Sequence, residues 1–325
     1  MSFPSSFESA SPVLADQRIR GLRGPRSQVD PWKAFGSIVD EERRPRGAIE
    51  RALTVFLSGA ECPFTCSFCD LWRYTIDGPT PVGALPTQIA ETLASMSGAP
   101  AHRIKLYNAS NFFDRRAVPV RDVPRIAELC APFAGVTVES HASTVGTMTL
   151  DFARRLPSGT RLEVAIGLET VHPDATARLN KRLDLARFDN AATFLSDHDI
   201  DLRVFVLLGA PYVPDAESVD WTVRSVEYAA ERGAAVVSII PVRGGNGEME
   251  RLRSLGHFTP PTLIQLESAL DRCLGLANTV VTADLWDVEK LPACPECSEG
   301  RIDRLRRLNV TGRSEAPVPC ERRHD

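Results

Sequence analysis

Six short apolar runs, separated by stretches with helical spacing, constrain this chain more than any other feature. The runs are residues 52–58 (ALTVFLS), 103–108 (RIKLYN), 135–140 (GVTVES), 162–168 (LEVAIGL), 202–208 (LRVFVLL) and 235–240 (AVVSII). Each is short and rich in β-branched residues, which predicts a buried strand. Between them, Ile89, Leu93 and Met96 share one face of a helix over 87–97, stopped by Gly98. A second helix over 121–131 has Pro124 near its start, and Phe188, Ala191, Ala192 and Leu195 mark a third over 187–197. Asp215 is placed to cap a long helix ending near Arg232, with Val219, Val223 and Val226 inward. A helix around Leu263, Leu266 and Leu270 and an edge strand over 279–283 complete the pattern. Parallel strands need helical crossovers, so six strand–helix units in series predict an α/β fold with a parallel sheet. A full eight-fold barrel and an open partial barrel both satisfy this, and the count of six favours the partial (βα)6 barrel. In such folds the active site lies at the C-terminal ends of the strands.

Directly after the first run comes Cys62-Pro63-Phe64-Thr65-Cys66-Ser67-Phe68-Cys69. Three thiols at C-x3-C-x2-C spacing can converge on one metal centre from a single loop. Thiolates are soft ligands suited to iron–sulfur clusters and zinc. A [4Fe–4S] cluster needs four ligands, and this loop offers three, leaving one iron open. An open position separates catalytic from closed structural metal sites. A structural zinc knuckle, a non-catalytic iron–sulfur protein or three buried reduced thiols are the alternatives, although zinc spacings usually come as two separated pairs. The other strand ends carry polar and small residues: Asn108, Ser110, Asn111 and Asp114; Glu139, Ser140 and His141; Gly167, Glu169 and Thr170; Gly209, Ala210 and Pro211; Arg243, Gly244, Gly245 and Asn246. Strands meeting solvent show the same composition, so the set says more than any member.

The cysteine spacing, with the aromatic Phe68 before the third cysteine, resembles the signature of the radical S-adenosylmethionine (SAM) superfamily. Residues 163–182 (EVAIGLETVHPDATARLNKR), 104–114 (IKLYNASNFFD) and 136–140 (VTVES) resemble its Elp3-like branch. Residues 256–262 (GHFTPPT) are similar to a segment of the archaeosine-synthase radical SAM subunits and their bacterial relatives. The matches cover roughly residues 50–275. The resemblance implies a radical SAM partial (βα)6 barrel. It also implies a [4Fe–4S] cluster on Cys62, Cys66 and Cys69, with SAM on the fourth iron and Phe68 beside the adenine. Ser110, Asn111, Glu139 and Glu169 fall where SAM contacts are expected. The implied reaction is reductive cleavage of SAM to a 5′-deoxyadenosyl radical, fed by a flavodoxin- or ferredoxin-type donor. That radical would take hydrogen from a small-molecule, peptide or nucleoside substrate, or from tRNA. Two departures stand out: the glycine-rich turn after the second strand is Ala109-Ser110-Asn111, and His141 stands where the branch often has Arg.

A net charge of −4 and a pI near 5.9 exclude a bulk basic field for nucleic acid and turn the expectation toward a small or peptidic substrate. No apolar run reaches the length of a membrane span and no secretory signal opens the chain, so a cytoplasmic setting is expected. Residues 1–28 read as a mobile arm whose Arg18, Arg20, Arg23 and Arg26 are solvated charge. Residues 29–50 read as a lead-in, helical in part, residues 51–285 as the barrel, and 286–325 as a C-terminal extension. In the extension, Cys294, Cys297, Cys320 and His324 have the C-x2-C and C-x3-H pairing that can hold a zinc. In radical SAM enzymes C-terminal cysteines also bind auxiliary clusters. A reduced pair unrelated to Cys320 is the remaining reading. Residues 301–308 read as an amphipathic helix docking on the barrel. Cys130 and Cys273 read as core residues.

Overall fold

The computed structural model describes residues 12–320. Seven strands pair in parallel, in chain order: β2 (Ile49–Phe56), β3 (Arg103–Tyr107), β4 (Gly135–Glu139), β5 (Arg161–Glu169), β6 (Asp201–Leu208), β7 (Ala234–Pro241) and β8 (Val280–Ala283). An eighth, β1 (Gly36–Arg43), lies antiparallel on β2. The α/β partial barrel is therefore present, with one parallel strand more than the six units and an antiparallel edge added. The lead-in expected to be partly helical is instead β1, because Ser37 to Arg43 pair residue for residue with Val55 to Ile49.

The order β1 to β8 is open, since the two edge strands do not pair with each other. Laid flat, β2 and β8 would stand about 29 Å apart at about 4.8 Å per strand. Yet the rings of Phe56, at the end of β2, and Trp286, just after β8, meet at 5.6 Å between centroids. The sheet must curl until its edges nearly meet. Helix α10 (Ser298–Thr311) lies against both β1 and β8 and covers the gap. Its Asn309 side chain both donates to and accepts from the Ala283 backbone at 2.8 Å, satisfying the open edge of β8.

Alternation along the strands divides outside from inside. Val55, Ile104, Leu106, Val136, Val138, Val164, Ile166, Val204 and Val206 are fully buried in the main core with residues of the surrounding helices. Those helices are α2 (Ala84–Ser95), α3 (Val123–Cys130), α4 (Thr147–Arg155), α6 (Leu185–Asp197), α7 (Ser218–Glu231) and α9 (Leu263–Cys273), while α5 (Pro173–Arg178) lies outside that core and α8 (Glu248–Ser254) packs in a smaller second one. Cys130 and Cys273 are core residues, as expected. The alternate positions face the lumen and are polar: Arg103, Lys105 and Tyr107 on β3, Thr137 and Glu139 on β4, Glu163 and Glu169 on β5, Arg203 on β6.

At the N-terminal end of the lumen these charges form one network. Glu163, fully buried, accepts from Arg44 and Arg203 at 2.6 Å each, with Arg103 at 3.5 Å. Glu42 of β1 pairs with Arg203 and Lys105. The lumen is thus closed at one end by ion pairs, which leaves the C-terminal end as its mouth.

The N-terminal segment departs from the mobile arm. Residues 12–21 form α1 (Pro12–Gly21), with Ile19 buried. Arg18 pairs with Glu248 at 3.1 Å, and Arg20, Arg23 and Arg26 all converge on Glu61. These arginines are docking contacts, because Glu248 takes one and a single partly buried glutamate, Glu61, collects the other three. Residues 1–11 lie outside the described residues. Asp215 does not cap α7: it opens a short 3-10 turn and accepts from Gln265 at 3.1 Å. The docking helix over 301–308 is α10, but Arg301 and Arg304 lie on its buried side, paired to Glu267, with Arg304 also on Asp271. Among the described residues no helix is long and apolar enough to cross a membrane.

Candidate active site at the mouth of the barrel

The cysteine loop leaves the C-terminal end of β2 and is held from four sides. The Ser67 N–H donates to the Leu179 carbonyl at 2.9 Å. Asn180 donates to the Thr65 carbonyl at 2.9 Å and Asn246 to the carbonyls of Ser67 and Cys69 at 2.8 and 3.1 Å. Asp16 of α1 reaches Thr65 and Asn180. Asn111, after β3, donates to the Cys62 sulfur at 3.5 Å and accepts from the His141 backbone at 2.8 Å. Phe64 stacks on the His141 ring at 4.1 Å. Segments after β3, β4, β5 and β7, together with α1, therefore converge on the eight residues that follow β2.

The backbone is strained here. Of the nine non-glycine residues with positive φ among the described residues, Glu169 at the end of β5 and Ala109, Asn180, Arg182 and Tyr212 in loops all lie at this mouth. Such conformations cost energy and persist where surroundings impose them, often at functional sites. Asn180 and Arg182 flank Lys181, and their left-handed turns throw it inward. Lys181 pairs with Glu169 across a bulge in β5, with both side chains largely buried. A Cβ on Gly167 would run into the ends of both side chains, so any larger residue must push the pair aside.

Burial pushes the Cys62 thiol up, Cys66 further and Cys69 to about 12, while the nearby Lys181 ammonium pulls each of them down. Burial also raises Glu139 to about 8, again opposed by Lys181, and lowers His141 to about 4. Burial would lower Lys181, but Glu169 and the Cys66 sulfur outweigh it and keep it charged. Three neutral buried thiols gain nothing from an adjacent ammonium; three thiolates do. Ser67 Oγ, Ser110 Oγ and both side-chain atoms of Asn108 are buried without a hydrogen-bond partner. Groups like these are normally satisfied, so the mouth has unused capacity for a polar ligand. The donor set thus fits a bound anionic sulfur-ligated group with a polar molecule beside it.

The structure brings Cys62, Cys66, Cys69, Ser110, Asn111, Glu139 and Glu169 to one mouth. Phe68 packs against a small second core of Leu207, Val242, Met249 and Phe258. Asn111 is engaged by Cys62 and His141, whereas Ser110 and Asn108 have open polar atoms. In the sequence Lys181 stands out only as part of the 163–182 resemblance, and Asn246 only as a polar strand end. The signal for Lys181 was Asn180 before it, since asparagine takes a left-handed turn more readily than most residues. Asn246 showed only its position after a strand.

Of the C-terminal set, Cys294, Cys297 and Cys320 come together with all three sulfurs within 4.8 Å of one another. Among the described residues only this group reaches that spacing, so the loop cysteines are more widely spread. His324 lies outside the described residues.

No family model matches the chain. Archaeosine synthase subunit beta of Methanosarcina acetivorans is 23% identical over 234 residues, covering 67% of this chain and 65% of that protein. Among solved structures, Elp3 of the archaeon Methanocaldococcus infernus aligns with a TM-score of 0.49 and 12% identity, over 69% of this chain and 58% of that one. A radical SAM methyltransferase from Sphaerobacter thermophilus aligns with a TM-score of 0.47 and 19% identity, over 87% and 84%. The match to the curated relative spans just under two thirds of that protein's length. In this chain the cysteine loop follows the first parallel strand, and the polar strand ends surround it.

Proposed function

We propose that this chain is a radical SAM enzyme. Cys62, Cys66 and Cys69 hold a [4Fe–4S] cluster whose open iron is taken by SAM. When bound, the pair supplies one-electron reductive cleavage of SAM and a 5′-deoxyadenosyl radical that takes hydrogen from substrate. The observation that carries this reading is the loop of three thiols beside the buried Lys181 ammonium, ringed by unpartnered polar atoms. Lys181 offsets the negative charge of the thiolates. Asn246, Asn180 and Asn111 fix the loop so that its sulfurs do not reorganise. Ser110 and Asn108 offer hydrogen bonds to SAM, and Glu139 and Glu169 offer carboxyl oxygens to its hydroxyl or amino groups. Phe68 backs the loop with an apolar face beside the adenine. The ion-paired floor and packed strands keep bulk water from the far side of the lumen.

The electron donor is of the flavodoxin or ferredoxin type, and the substrate is small or peptidic. The net charge of −4 supports that choice over tRNA. Anaerobic reconstitution with iron and sulfide tests the reading. The brown protein, given SAM and a strong reductant, should release 5′-deoxyadenosine, and Cys66→Ala should release none. A chain that takes up no iron and sulfide in the loop overturns it.

A further inference from the structure

A second set of thiols lies far from the loop in sequence, at the start of α10. Cys294-Pro295-Glu296-Cys297 makes a tight turn in which the N–H groups of Cys297 and Ser298 donate to the Cys294 carbonyl at 3.3 and 3.0 Å. Backbone N–H groups of Glu296 and Cys297 also point at the Cys294 sulfur. Arg301 Nε donates to the Cys297 sulfur at 3.2 Å. The chain then runs along α10, turns at Gly312 and returns beside it. Arg304 Nε holds the Ala316 carbonyl at 3.0 Å, Arg307 pairs with Glu315 at 2.9 Å, and Val318 packs over Gly300. That return delivers Cys320 to the turn, with its sulfur 3.8 Å from that of Cys294.

The spacing discriminates between metal centres. A tetrahedral zinc with Zn–S bonds of about 2.3 Å sets neighbouring sulfurs about 3.8 Å apart. Cubane ligands each bind a different iron and stand farther apart. A disulfide needs its sulfurs at about 2.05 Å. From this geometry we infer that Cys294, Cys297 and Cys320 supply three thiolates to a tetrahedral zinc site, its fourth position filled by a ligand from outside this trio, that pins the C-terminal return to the start of α10. Binding exchanges thiol protons for Zn²⁺ and involves no redox step. Its place in the fold gives it work: α10 bridges the two open edges of the curled sheet, and the zinc locks the segment that holds α10 down. This site does not depend on the radical SAM reading.

The test uses the full chain with Cys62, Cys66 and Cys69 replaced by alanine, so that the loop contributes no metal. Elemental analysis and a sulfide assay should find about one zinc per chain and only background iron and sulfide. Adding Cys294→Ser and Cys320→Ser should lower zinc by at least about tenfold. Because that variant can unfold, cobalt is also exchanged into the loop-free chain. The visible spectrum of tetrahedral thiolate cobalt is expected. Stoichiometric iron and sulfide, a folded loop-free chain without zinc, or a Cys294–Cys320 disulfide by mass spectrometry would each overturn the inference.

Discussion

Replacing Glu163 with Gln strikes the centre of the charge network at the lumen floor. Glu163 is fully buried, with Arg44 and Arg203 each donating at 2.6 Å and Arg103 at 3.5 Å. Burial alone would raise its pKa, but the three guanidinium groups override this and hold the carboxyl well below the usual range. Glutamine keeps the shape, removes the charge and turns an NH2 toward an arginine. Breaking one side of such a buried pair costs about 3–5 kcal/mol. Unfolding entropy near 2.1 cal/mol/K per residue gives about 0.7 kcal/mol/K for 325 residues, so Tm should fall by about 4–7 °C. Glu128→Gln is the control: its pair with Arg125 is exposed on both sides, is worth about 0.3–0.5 kcal/mol and should move Tm by less than about 1 °C. The pH dependence has a definite sign. A depressed carboxyl stabilises the fold above its unfolded pKa of about 4.3 and loses that contribution as pH falls toward the folded pKa. The gap between wild type and Glu163→Gln should therefore be full at neutral pH and shrink under acid. Thermal melts across pH check both statements. A Glu163→Gln Tm within about 1 °C of wild type at neutral pH would refute the reasoning.

Asn246→Ala removes two donors to the cysteine loop and the acceptor for Met249 N–H, so a reconstituted cluster should be lost to a chelator about 10–100-fold faster; an unchanged rate of iron release counts against the loop-holding role. Glu139 carries a folded pKa of about 8 against about 4.3 unfolded, so wild-type stability should fall as pH rises between those values. Glu139→Gln should flatten that slope, which melts of the metal-free chain can read; an equally steep variant shows that the group is not Glu139. Gly167→Ala pushes a methyl into the Lys181–Glu169 pair and should cut 5′-deoxyadenosine release at least about tenfold, through loss of the charge beside the sulfurs, while the fold survives. Equal release from the variant would mean the pair has no part in the site.

The six central strands were legible because each carries apolar side chains at alternate positions with few interruptions, as in 162–168 and 202–208. The same runs hid the lumen. Glu163 precedes Val164 and Arg203 precedes Val204, and neither announces that it faces a charge on another strand. β1 was illegible for a related reason. Residues 36–43 (GSIVDEER) expose most of their side chains, since only one face of this edge strand meets the network through Glu42. With no apolar periodicity to show, it read as a lead-in.

The cysteine loop was the most legible part of the site, because its three thiols are adjacent in sequence. What holds the loop was not, because every holding residue comes from elsewhere: Asp16, Asn111, Asn180 and Asn246. α1 shows this best. The arginines of α1 and the segment after it look like solvated charge in a one-dimensional reading, with only Asp16 near them in sequence. In the fold Arg20, Arg23 and Arg26 share Glu61, the residue immediately before Cys62, while Asp16 grips Thr65 from the same side. A segment that meets the loop at both its start and its middle restrains the three sulfurs as a unit. Removing residues 12–28 should therefore loosen the loop before it loosens the barrel. Hydrogen exchange would show that order as faster exchange at residues 61–69 with β4 and β5 unchanged, and uniform acceleration across the sheet would contradict it.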